Sequence, residues 1–479
     1  MNKQLKRVSA VVLIMFVALF CSGTVITVFQ ADNLRADPRN VRTLFASFSA
    51  ERGPLLVDGT PIAQSTPVDD DFKFQRSYAN PALYAPVTGY FTLNQGNTGV
   101  EGSLNDYLSG TANEQFLDQV SAIFTGQTPK GAAVELTIDS AIQQAASDAL
   151  GDYRGAVIAI DPKTGAILAM VSKPSYDPNL LASHDTAAVI SAYNQLLAAP
   201  DNPLFNRTIS GNLYHPGSVF KLLVASAALD SGQFEPESQL PNPPTLQLPL
   251  SSTVITNAEG GNCGGGETVS VADALRLSCN IPFAELGTAV GHDTLAEYAK
   301  AFGYGEKVDV PMSATPSVFP AEMNAPQLML SSFGQQDVRV TPLQIAMTTA
   351  AIANGGALMQ PTLVDSIIAP DLTVISSLEP TVFSQPITSA TAATMSGLMV
   401  NNVANGAASG ARMNGVDVGG KTGTAQNSEG VSNTLWFTGF APANDPQIAI
   451  AVVVENGSGF GNQVAAPIAK KVFEAVLSK

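Results

Sequence analysis

From Val8 to Phe29 the chain runs for 22 residues without one charged side chain. Wound as a helix, this stretch is about 33 Å long, which matches the hydrocarbon core of a bilayer. The pattern predicts a single membrane-spanning anchor over 8–29, preceded by a short tail, residues 1–7. A cleaved signal peptide, or a lipoprotein signal ending at Cys21, would give a related profile. The apolar run outlasts the about 7 to 15 residues of a signal core, and bulky Phe20 ahead of Cys21 makes a poor processing site. Lys3, Lys6 and Arg7 precede the run and Arg35, Arg39 and Arg42 follow it, so the charge bias across it is small. We read the tail as cytoplasmic and the rest of the chain as extracytoplasmic.

Beyond the anchor two regions differ in periodicity. Residues 31–135 mix short alternating segments with turn clusters at Asp58-Gly59, Asn80-Pro81, Asn94 to Gly99 and Gly126 to Pro129, which predicts a small β-rich domain. Residues 136–479 read as a larger α/β domain. Leu136 to Gly151 has helical spacing, with Asp139 as a cap and Ile142, Ala145, Ala146 and Ala149 on one face. Gly155 to Asp161 and Gly165 to Ser172 form a predicted strand hairpin, and Thr434 to Pro442 with Gln447 to Asn456 a second pair. Strands near both ends with helices between them fit one sheet assembled from both ends of the domain.

Composition then removes whole classes of function. The chain carries 24 basic against 40 acidic residues, a formal charge of −16, with no basic run, so a nucleic-acid partner is not expected. The three His and three Cys show no paired ligand spacing, and no metal is expected. Gly415 to Thr422 satisfies the P-loop expression letter for letter, yet polar, Gly-rich sequence flanks it where a buried strand and a helix are required. The alternation of Val416 and Val418 makes that segment itself a strand, and no cofactor is expected.

Three short motifs carry candidate chemistry. Pro216 and Gly217 mark a helix start, which puts Ser218 and Lys221 on one face of the first turn of a nearly all-apolar helix. A serine hydroxyl is a weak nucleophile until a base takes its proton, and a desolvated lysine can be neutral enough to do so. Ser278-Cys279-Asn280 falls between a helix capped by Ser270 and a new one opened by Ile281-Pro282. Its hydroxyl and amide are suited to relaying a proton and holding a substrate amide; a plain helix-ending turn reads equally well. On a strand edge Lys421, Thr422 and Thr424 would meet a carboxylate, while Gly423 lets a ligand approach the backbone.

In this order the motifs are close to the Ser-x-x-Lys, Ser-x-Asn and Lys-Thr-Gly set of penicillin-binding proteins and class A β-lactamases, with Cys279-Asn280 where a common form has Asp-Asn. The chain resembles the penicillin-binding transpeptidases of the monofunctional class B group, nearest the actinobacterial penicillin-binding protein A type. Tyr214 to Lys221, Trp436 to Pro442, and Gly334-Gln335 with Thr341 to Gln344 extend the likeness; Arg52-Gly53, Gly99-Val100-Glu101 and Tyr107-Leu108 resemble the family's N-terminal pedestal. The resemblance implies an antiparallel sheet sandwiched by helices, and a D,D-transpeptidase that β-lactams acylate. Ser218 would attack the penultimate D-Ala carbonyl of a pentapeptide stem of peptidoglycan, with Lys221 taking its proton and Ser278 and Asn280 relaying and positioning. Lys421, Thr422, Gly423 and Thr424 would bind the carboxylate end, and the backbone N–H groups of Ser218 and Thr424 would form the oxyanion hole. His215, without an acidic orienter, reads as structural.

A hydrolase, either a D,D-carboxypeptidase or a β-lactamase, and a non-catalytic scaffold of the wall-building machinery are the alternatives. No E-x-x-L-N follows Asn280 and Ser218 and Lys221 are both intact, which weighs against the last two. About 100 residues before the main domain leave no room for a glycosyltransferase, so a separate one, together with division or elongation proteins, is an expected partner. Cys263 and Cys279 are the only cysteines beyond the anchor. Facing an oxidising exterior they are expected to form a disulfide, two free thiols being the alternative.

Overall fold

The computed structural model describes residues 3–30, 48–116, 124, 130–211, 213–427 and 432–478. Helix α1 (Lys3–Thr24) continues through a wider-turned stretch to Phe29, and the whole is long and apolar enough to cross a membrane. Arg35, Arg39, Arg42 and the turn Gly126 to Pro129 lie outside the described residues.

The next structure is a hairpin of β1 (Leu55–Val57) and β2 (Thr60–Pro67), turned at Asp58 and Gly59, both with positive φ, as an Asp-Gly turn requires. Strand β3 (Phe74–Tyr78) pairs with β2. The region is less β-rich than its turn clusters suggest: Asn80-Pro81 opens the helix Pro81–Thr88, and short helices cover Gly99–Ser103 and Asn105–Ser109. Proline and glycine here punctuate short helices as well as turns.

Strand β4 (Ala133–Leu136) lies parallel to β1, so the predicted helix does not begin at Leu136. Helix α2 (Ser140–Leu150) starts only where Asp139 accepts from the backbone of Ala141 and Ile142. The hairpin β5 (Gly155–Ile160) and β6 (Ile167–Lys173) follows. Helices α3 (Lys221–Asp230), α4 (Val271–Arg276), α5 (Ile281–Val290) and α6 (Pro342–Ala353) come next. Strands β7 (Val364–Ile368) and β8 (Val374–Ser377) then return to the first region and complete a six-stranded sheet ordered β8-β7-β4-β1-β2-β3. A pattern read along the chain places a boundary at 135; in space, the sheet draws strands from both sides of it.

Helix α7 (Ser389–Asn405) leads to β9 (Gly419–Ala425), β10 (Asn433–Ala441), β11 (Ile448–Gly457) and α8 (Ala465–Leu477). The strand predicted at Val416 and Val418 starts later, at Gly419, because Gly415 (φ 74°) turns the chain and Val416 bridges only back to Met413. The second sheet is antiparallel throughout, ordered β9-β10-β11-β5-β6, and combines strands from early and late in residues 136–479. Its period of two feeds two cores. Leu435, Phe437, Ile450 and Val452 pack with α2 and α8, whereas Trp436, Ala449, Ala451 and Val453 face the core that holds α3, α5 and α6. The small alanines let the buried helix α6 lie close on β11 and β5.

Polar side chains lock the two regions together. Gln143 donates to the carbonyls of Leu83 (2.9 Å) and Met170 (3.0 Å), and Asn206 donates to that of Pro86 (2.7 Å). Inside the pedestal, fully buried Glu101 receives Arg52 and Arg76, each at 2.6 Å, and the Arg52 guanidinium lies 4.3 Å from the centre of the Phe91 ring. Burial alone would raise the Glu101 carboxyl, but Arg76 and Arg52 outweigh it and hold it below its ordinary 4.5. Glu101→Gln leaves two buried cations facing a neutral amide and is expected to lower stability by about 3–5 kcal/mol. The urea midpoint of the full chain in detergent measures this. The same contribution is present above about pH 4.5 and is lost as pH falls below it.

Candidate active site

The three motifs meet at one cavity of about 1110 Å³ between α3, the α4–α5 junction and β9. Ser218, Ser278, Asn280, Thr422, Gly423 and Thr424 all line it. Lys221 and Lys421 lie behind its wall, both fully buried.

Ser218 stands on a tight 3₁₀ turn, Gly217–Phe220, that runs directly into α3. Gly217 N–H, the first of the turn, donates to the Gly334 carbonyl (2.9 Å), which seats the turn against that neighbouring segment. Two glycines bring this turn against β9. Gly217 has φ 55°, and a Cβ on Gly423 would stand 3.0 Å from the Pro216 carbonyl oxygen and 3.3 Å from Val219. A side chain at Gly423 would require the serine turn or its neighbours to give by a few tenths of an ångström.

Lys221 Nζ donates to the Ser278 carbonyl oxygen (2.7 Å) and to Asn280 Oδ1 (2.9 Å), and its ammonium lies 5.5 Å from the centre of the Phe283 ring. Burial pushes this amine well below the ordinary lysine range, and neighbouring Lys421 pushes it further. Lys421 Nζ donates to Ser278 Oγ (2.6 Å) and to the Thr422 carbonyl oxygen (2.9 Å), and burial lowers it to about 7. Thr422 Oγ1 donates to the Ala407 carbonyl (3.0 Å). Thr424 Oγ1 accepts from Gly461 N–H (3.3 Å), which leaves its own proton for a ligand.

Ser278 adopts φ 63°, in the left-handed region, at the end of α4. Cys279 beside it is bonded to Cys263, with the Cα atoms 5.8 Å apart. Sequence reasoning passed over Asn257. It is buried, and its Oδ1 accepts from the backbone N–H groups of Asn280 (2.9 Å) and Ile281 (3.1 Å). Only its place six residues before Cys263 hinted that it sits near the site. His215 accepts at Nδ1 from Arg339 (2.8 Å), and burial and that cation lower its pKa; its carbonyl receives Trp436 Nε1 (3.0 Å). It is not among the residues lining the cavity.

Comparison with known proteins identifies this arrangement. The profile of the penicillin binding protein transpeptidase domain matches residues 155–474, and that of the penicillin binding protein A dimerisation domain matches 52–134. The chain belongs to the penicillin-binding protein transpeptidases. It is 42% identical to the peptidoglycan D,D-transpeptidase PbpA of Mycolicibacterium smegmatis over all of this chain and 99% of that protein. Identity to PbpA of Mycobacterium tuberculosis is 41% over the same shares. Penicillin-binding protein A of M. tuberculosis, solved as an imipenem acyl-enzyme, superposes with a TM-score of 0.86 at 39% identity, covering 90% of this chain and all of that one.

The penicillin-binding fold here buries an amine whose proton affinity is far below that of the unfolded chain, and stability must respond to pH. Between about 7, the folded value of Lys421, and 10.5, its ordinary one, the unfolded state holds a proton that the folded state lacks. Stability therefore rises with pH across that window. Lys421→Met is expected to flatten the rise, measured as denaturation midpoints from pH 7 to 10 for both proteins; parallel curves would remove Lys421 as its source.

Proposed function

We propose that the protein is a membrane-anchored peptidoglycan D,D-transpeptidase working through an acyl-enzyme on Ser218. The observation that carries this is the environment of Lys221. A neutral amine has two N–H bonds and one lone pair, and the Ser278 carbonyl and Asn280 Oδ1 take both N–H bonds. The lone pair is left for the Ser218 proton, on the same turn of chain. Ser218 Oγ attacks the penultimate D-Ala carbonyl, and the tetrahedral oxyanion is received by the backbone N–H groups of Ser218 and Thr424. The terminal D-Ala leaves with a proton relayed through Ser278, between the two lysines. Thr424, with a free O–H, and Lys421 attract the substrate carboxylate, while Thr422 shapes the wall and Asn280 positions the stem. An amine from a neighbouring stem then resolves the ester.

β-Lactams enter the same path as acylating substrate mimics. The likeness to peptidoglycan D,D-transpeptidases and the acyl-enzyme form of the M. tuberculosis protein support this reading. The apolar helix at the N-terminus and a disulfide, a bond of oxidising compartments, support a single-pass topology with the tail inside and the domain outside. Glycan polymerisation is left to a separate glycosyltransferase partner in division or elongation.

A fluorescent penicillin tests the assignment. Ser218→Ala is expected to abolish labelling, and Lys221→Ala to slow it by at least about 10²-fold with the thermal transition retained. Labelling of the Ser218 variant would sink the nucleophile, and a Lys221 variant within a few-fold of wild type would sink the base.

A further inference from the structure

The segment 253–264 also lines the cavity, next to Asn280, and the roles assigned above give none of its side chains contact with a substrate. This wall is a built surface rather than a loose loop. Asn257 ties it to α5, Asn280 Nδ2 donates to the Thr256 carbonyl (3.1 Å), and the disulfide fixes its far end. Asn242, fully buried, donates to the carbonyls of Cys263 (2.7 Å) and Gly266 (2.8 Å) and accepts from Cys263 N–H (3.0 Å).

At its tip sits Glu259, exposed, and among the described residues lining the cavity it is the only ionisable one. The rest of the lining is hydroxyl, amide, backbone and apolar. One carboxylate therefore sets the sign of the field at that end, the reverse of what a carboxylate-bearing donor peptide needs. The cavity, about 1110 Å³, is at the large end of the range for ligand sites.

We infer that the wall carrying Glu259 is the acceptor subsite, and that Glu259 recognises the cationic side-chain amine of the second stem peptide. The inference rests on the transpeptidase reading. The ammonium docks at the carboxylate and loses one proton to solvent. Its nitrogen then attacks the acyl carbon, so that the C–N bond forms and the C–O bond to Ser218 breaks. A second amine proton passes to Ser218 Oγ, restoring the hydroxyl.

The test starts from the full-length enzyme acylated by a thioester donor and offers two nucleophiles together, Nα-acetyl-lysine amide, which is cationic, and hydroxylamine, which is neutral. The readout is the ratio of lysine-amide product to hydroxamate. It is taken after acylation and does not depend on the acylation rate. Glu259→Gln is expected to lower the ratio about three- to fivefold, the scale of one exposed charge pair. Glu259→Asp should recover most of it, and raised salt should bring the wild-type ratio toward that of the Gln variant. A ratio unchanged in Glu259→Gln, or one insensitive to salt, overturns the acceptor role and leaves Glu259 a surface carboxylate. A wild-type enzyme that forms no acyl-enzyme at all overturns the transpeptidase reading itself, and this inference with it.

Discussion

Two lysine ammonium groups buried side by side are the hardest demand this fold meets. Each would lose several kcal/mol of hydration if it stayed charged, and each charge opposes the other. The fold meets the demand around one residue. Ser278 offers its carbonyl to Lys221 and its hydroxyl to Lys421, so one residue contacts both amines, while Asn280 Oδ1 and the Thr422 carbonyl accept a second bond from each. The backbone position of Ser278 is a left-handed one that serine seldom adopts, and it persists because its surroundings over-determine it. Helix α4 ends there, the disulfide grips the next residue, and Asn257 holds the one after.

The same demand explains the glycines and the sheet edge. Lys421 can reach Ser278 only if β9 lies against the serine turn, and Gly217 and Gly423 are the positions where backbone touches backbone. As the edge strand of its sheet, β9 is paired on one side by β10 and leaves the other for the turn, the cavity and whatever enters it. Burial then does chemical work. It depresses the proton affinity of both lysines, so amines that would be fully charged in water are brought toward neutrality, as the proposed proton transfer from Ser218 requires.

Much of this was legible in the sequence because the decisive signals are local. Pro216-Gly217 before Ser218 and Ile281-Pro282 after Asn280 each announce a helix start within three residues of a site side chain, and Ser270 marks the start of the helix that leads to Ser278. What stayed hidden is long-range. Asn257 reaches Asn280 across 23 positions as a lone amide in a turn-rich segment, with no periodicity to mark it. Strand β7 joins a sheet begun some 300 residues earlier, and a half-exposed five-residue segment gives no sign of which sheet it will complete. The late start of α2 is a different failure. Ala133–Leu136 alternates as a strand, yet its last apolar residue also suits the helical face that follows, and only the Asp139 cap separates the two.

The serine turn is also braced from the far end of the chain. Tyr214, four residues before Ser218, donates its hydroxyl to Glu455 Oε1 at 2.6 Å, and the same carboxylate accepts from Arg207 (2.9 Å) and pairs with Arg154. Tyr214 also meets Trp436 edge-on, and Trp436 holds the His215 carbonyl through its indole N–H. Strands β10 and β11 thus grip the segment leading into Ser218, while β9, next in the same sheet, carries Lys421. Ser218 and Lys421 are therefore referenced to one sheet as well as to the loops between them. That is why a chain can place its reactive groups some 200 residues apart and still hold them in a common frame.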